Sequence, residues 1–70
     1  MFRISRLGRY LAETETIEDA REAVGRLVPG SYDVDEIRDI LSPPGRSVRA
    51  WGRLIRHPDG RIEDDPWTSP

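Results

Sequence analysis

No cysteine occurs in the 70-residue chain, which excludes disulfides, thiolate nucleophiles and cysteine-ligated zinc. The lack fits a reducing cytosol better than a secreted mini-protein, so a cytoplasmic location is the expectation. No apolar run approaches the roughly 20 residues that span a bilayer. The amino-terminal stretch MFRISRLGRYLA is interrupted by Arg3, Arg6 and Arg9, so it has no apolar centre of the kind a signal peptide carries. No membrane partner is expected.

Catalytic constellations are missing too. Ser5, Ser31, Ser42, Ser47 and Ser69 lie in no G-x-S-x-G elbow, and the single histidine, His57, abuts Pro58, which reads as a turn position rather than a general base. No glycine-rich phosphate loop is present. A chain of this length has scant room for a water-excluding pocket of roughly 300 Å3 or more. The expectation is a non-enzyme with no cofactor and no small-molecule substrate. The acidic string Asp33, Asp35, Glu36, Asp39 lacks the glycine and distal glutamate of a calcium loop. It reads as a solvated face opposite Tyr32 and Val34, or as counter-charge to arginines on a neighbouring strand; no metal site is expected.

Lysine is absent as well: all 11 basic residues are arginine. A GC-rich genome produces that bias, and so does selection for bidentate contacts to carboxylate or phosphate. The net charge of −2 hides a segregation. Residues 1–11 hold three arginines and no acid, and residues 12–42 hold nine acids against three arginines. Residues 43–61 hold five arginines against Asp59, and residues 62–70 hold three acids. Blocks of this contrast either pair internally or face a partner.

Seventy residues make one domain. Such a chain buries only about 60% of its unfolded surface, and a core of this size rarely yields more than about 3–5 kcal/mol. Phe2-Arg3-Ile4-Ser5 alternates in the manner of a half-buried strand, and Gly8 suits a tight turn, so a hairpin over 2–6 and 9–14 is predicted. Thr16 suits a helix N-cap, with Asp19 completing an imperfect capping box. Ile17, Ala20, Val24, Leu27 and Val28 then form one apolar stripe, and Pro29-Gly30 stops the helix. The predicted helix runs over about 17–28.

A strand is expected from Tyr32 to about Arg38, with a bulge near residues 35–36 that returns Ile37 to the core face. Pro44-Gly45 fits the centre of a type II turn. The stretch VRAWGRLIRHPDGRI, residues 48–62, holds Trp51, His57 and four arginines. It reads as two strands folded back at His57-Pro58-Asp59-Gly60, with proline early and glycine at the left-handed position. Trp51, Ile55, Arg49 and Arg53 are expected on one face, with Val48, Ala50, Leu54 and Arg56 on the other. A helix competes here, because Arg46, Arg49, Arg53 and Arg56 recur at helical spacing. Gly52 and the turn favour the strand. The expected architecture is α+β in the order β-β-α-β-β-β: one amphipathic helix on a mostly antiparallel sheet, with a domain over 1–65 and an extended tail over 66–70.

The functional expectation is a small protein–protein interaction or regulatory module, binding either another protein or a second copy of itself as a homodimer. Arginine and tryptophan are enriched at interface hot spots, which nominates Arg49, Trp51, Arg53, Arg56 and Trp67 as partner-binding residues. The alternative is nucleic-acid binding through the arginines of residues 46–56, as a basic ridge that tracks phosphates.

Overall fold

The computed structural model describes residues 1–41 and 44–67. Among them the chain forms β1 (Phe2–Arg6), β2 (Arg9–Thr14), α1 (Ile17–Gly25), β3 (Gly30–Leu41), β4 (Pro44–Arg56) and β5 (Ile62–Pro66). The five strands make one antiparallel sheet in the order β2-β1-β3-β4-β5, and α1 covers one face. Among the described residues no helix is long and apolar enough to cross a membrane.

The core is the contact between α1 and that face. Ala20 and Val24 of the helix stripe are fully buried against Ile4, Tyr32, Val34 and Leu54. Phe2, Ala12, Ile17, Ala23, Leu27, Trp51 and Ile62 pack around them. The helix starts as its sequence dictates: the Asp19 amide donates to Thr16 Oγ1 at 3.1 Å, satisfying one of the free first-turn donors. It ends three residues sooner than its apolar stripe. Gly25 is its last residue, Arg26 caps it, and the amides of Arg26 and Leu27 turn back to Ala23 and Val24 in tighter i→i−3 bonds. Glycine is the weakest helix former after proline. Val28 is consequently released from the helix and stands exposed.

The β4–β5 loop has the expected form. His57 NH donates to Arg61 O and Gly60 NH to His57 O, with Gly60 at φ +93°. The Arg61 amide also donates to Asp59 Oδ1 at 2.9 Å, which holds the Asp59 carboxyl below the usual carboxylate range.

Three local expectations are corrected. Pro44 and Gly45 are not a turn centre; they lie in β4, opposite Leu41 and Ile40. The ribbon of β3 and β4 is therefore longer than expected; residues 42–43 lie outside the described residues. The bulge facing Asp35 does exist, but its extra residue is Trp51 on β4, between Gly52 opposite Val34 and Ala50 opposite Asp35. β3 keeps its alternation, so Ile37 does not join Tyr32 and Val34. It is buried outside that cluster, opposite Val48, with its amide bonded to Met1 O at 2.7 Å. The same bulge turns Trp51 into the helix-side core with Leu54, where its ring meets Phe2 edge-on at 6.4 Å. Trp51 and Leu54 are thus not on opposite faces.

Gly52 follows the bulge at φ +147°, and a Cβ there would lie 2.6 Å from Pro66 Cα and 2.9 Å from Trp67 N. Only glycine lets β5 pass this close. At 13 residues and roughly 3.3 Å each, β4 spans about 43 Å, which accounts for the 45 Å long axis of the molecule. The radius of gyration of 12.6 Å exceeds the about 11 Å of a compact chain this long. The excess is the two-stranded end of the β3–β4 ribbon, which outruns both β1 and β5.

Candidate protein-binding cleft

The sequence nominated Arg49, Trp51, Arg53, Arg56 and Trp67 as a partner surface. The fold does not gather them. Arg53 lies on the sheet face away from the helix, opposite Asp33 on β3 and Asp65 on β5, with Nε 3.7 Å from Asp33 Oδ1. Arg49 lies across the bulge, opposite Glu36, so the two do not share a face. Arg56 caps the helix end, donating to Gly25 O at 3.4 Å and His57 O at 3.0 Å. Trp51 is core. Trp67 is 55% exposed, while its amide donates to Trp51 O at 2.9 Å.

The sheet face without the helix carries two rows of alternating charge. Glu13, Arg3 and Asp35 stand side by side on β2, β1 and β3; Asp33, Arg53 and Asp65 do so on β3, β4 and β5. Arg3 reaches Asp35 at 3.3 Å. Farther along the ribbon, Arg46 lies 3.7 Å from both Asp39 and Glu13. The acids of residues 33–39 thus answer arginines of this chain. Among the described residues no group of three or more His, Asp or Glu side chains could hold a metal ion.

Apolar surface is exposed elsewhere, at the β1–β2 turn. That turn has two residues, Leu7 at φ +52° and Gly8 at φ +77°, the positive pair that defines a type I′ hairpin. Gly8 enters this region freely. Leu7 does not, because its Cβ crowds the following carbonyl at a cost of about 1–2 kcal/mol. Leu7 is also 95% exposed, so nothing among the described residues offsets the strain.

Two residues of β2 further on comes a second irregularity. Ser5 pairs with Tyr10 and Ile4 with Ala12, leaving Leu11 as the extra residue of a bulge. Tyr10 faces the open side, and the bulge leaves both Leu11 and Ala12 toward the helix side. Leu7 and Leu11 then line one cleft of about 420 Å3 with Leu27, Val28, Tyr32, Arg6 and Arg9. The early helix end supplies Val28, which is 66% exposed.

Tyr32 fixes its floor. Its hydroxyl donates to Val28 O and accepts from Arg6 Nη1 at 3.5 Å, and the Arg6 guanidinium lies 5.3 Å from the ring centre, within cation–π range. Arg9 is exposed and has no carboxylate within 4.0 Å among the described residues. The lining therefore holds two cations, four aliphatic side chains and no acid.

Sequence reading missed Arg6, Leu7, Arg9, Leu11 and Val28 as a group. One signal was present: Leu-Gly fills a two-residue hairpin loop where Asn-Gly or Asp-Gly is preferred. Comparison of the chain with protein-family models, with curated proteins and with solved structures finds no match.

Proposed function

We propose that this protein is a protein-binding module whose contact surface is the cleft at the β1–β2 turn. The observation that carries the reading is the convergence of two backbone irregularities, left-handed Leu7 and bulged Leu11, on one exposed apolar cleft. Strain that no internal contact repays points to a contact made elsewhere. Exposed leucine and valine beside arginine form a hydrophobic centre with a polar rim, the anatomy of a small interface.

Nucleic-acid binding through residues 46–56 has less support. Of its four arginines, Arg46 and Arg53 face carboxylates and Arg56 faces backbone carbonyls. Counterion release needs several arginines directed at phosphate, and only Arg49 is left. Titration with a labelled duplex and a labelled single strand at two salt concentrations separates the readings. Salt-sensitive binding weakened by Arg49→Ala would favour nucleic acid over the cleft.

A further inference from the structure

We infer that the cleft takes an extended segment of another protein, added as a strand along β2, whose cleft-facing alternate positions are apolar with Asp or Glu among them. This rests on the cleft being the protein-binding surface and goes on to name what it binds.

The two sheet edges differ. β5 carries Glu63, Asp64 and Asp65 in succession and ends in Pro66, devices that keep other strands away from an edge. β2 is the terminal strand on the other side. It reads RYLAET, with no proline and exposed Tyr10 and Leu11. β2 has the bulge at Leu11, itself an edge device, but no proline and no run of charge, so of the two edges it is the less guarded against a further strand. A strand laid there sends alternate side chains toward the helix side, where Leu11, Leu27 and Val28 wait.

Charge selects the sign of the remaining residues. The cleft has Arg6 and Arg9 and no carboxylate in its lining, so acidic positions in the segment gain charge-assisted bonds. Basic ones would be repelled. A second copy of this chain fits less well through its own acidic strand. Asp64 of β5 is already held by Arg21, and Asp65 stands opposite Arg53.

Random-peptide display on the intact chain, with the Leu7→Asn chain as counterselection, tests this directly. Enriched peptides should carry both apolar and acidic residues in one i, i+2, i+4 set, so that both kinds face the cleft. By fluorescence anisotropy they should bind at least tenfold more weakly to Arg9→Glu and to Leu7→Asn, and more weakly at high salt. Amide exchange along residues 10–13 should slow on binding. Peptides that depend on Leu7 but are basic or indifferent to Arg9→Glu would overturn the acidic partner and leave the cleft standing. Failure to select any Leu7-dependent peptide would remove both. A micromolar dimer in sedimentation that Leu7→Asn dissolves would give the cleft to a second copy and overturn the foreign partner.

Discussion

Replacing Leu7 by asparagine should make the free protein more stable. Leu7 sits at φ +52°, where an L-residue with an ordinary side chain loses about 1–2 kcal/mol. Asparagine tolerates this region because its short amide bonds the local backbone, and Asn-Gly is the preferred pair for a type I′ loop. Nothing offsets the gain, since Leu7 is 95% exposed and buries no surface that its removal would return to water. A net gain of about 1 kcal/mol follows, or roughly 4–8 °C in Tm for a domain of this size. Urea denaturation should show a higher midpoint with an unchanged slope, because the surface exposed on unfolding is the same. Gly8→Ala is the control. Gly8 has φ +77° and open space around its Cβ position, so alanine there should lose about 1 kcal/mol through backbone strain alone. An unchanged or lowered midpoint for Leu7→Asn would refute the strained turn, and with it the main reason to look for a partner at this end.

Gly52→Ala should be the most damaging small substitution in the sheet. Its Cβ would meet the Asp65 carbonyl oxygen and Pro66 Cα, and expulsion of β5 should cost at least about 2 kcal/mol, a large share of the about 3–5 kcal/mol such a domain holds; thermal denaturation reads it. Tyr32→Phe removes the bond to Val28 O, costing about 1 kcal/mol, and should speed amide exchange over residues 26–30 while leaving the sheet protected. Asp64→Asn tests the tie between helix and edge strand. The hydrogen bond from Arg21, more than the opposing burial, holds the Asp64 carboxyl below the usual carboxylate range. Its stabilising contribution is therefore complete above about pH 5 and lost as pH falls through the depressed value. Wild type and variant should differ in midpoint at pH 7, and the difference should shrink as pH falls through the depressed value.

Much of the secondary structure was legible because its determinants are local. Thr16 caps α1, Gly8 turns the first hairpin and Pro58-Asp59-Gly60 turns the last, each through chemistry confined to four or five residues. What was not legible depends on partners distant in sequence. The extra residue at Trp51 is set by which β3 residue faces which β4 residue, and period-2 counting fails beyond it. That single residue separated Arg49 from Arg53 and moved Trp51 into the core. The bulge at Leu11 escaped for the same reason. Pro44-Gly45 misled because proline is also tolerated as the first residue of a strand, where Pro44 stands. The apolar stripe continues through Val28 and suggests a longer helix, but the low helix propensity of Gly25 sets its actual end.

The charge segregation of the sequence is explained by register. A sheet with one uncovered polar face has no hydrophobic pattern on that face to resist slippage, and a one-residue slip would reverse every side chain. Here the two rows Glu13–Arg3–Asp35 and Asp33–Arg53–Asp65 alternate in sign across the strands. Each favourable neighbour contributes only about 0.2–1 kcal/mol, but a slip of β4 against β3 would exchange the facing charges for apolar residues. The acidic and basic blocks are spaced along the chain so that the antiparallel fold interleaves them. The long ribbon carries the scheme outward, with Asp39 opposite Arg46. Charge on the open face is thus largely committed to holding the strands in place. The same logic does not extend to the β1–β2 turn, where Arg9 and Leu7 are exposed and, among the described residues, Arg9 meets no carboxylate. Most of the molecule's arginines are answered from within, whereas the strained leucine is not, and that contrast is the reason the proposed contact with a second protein is assigned to this end.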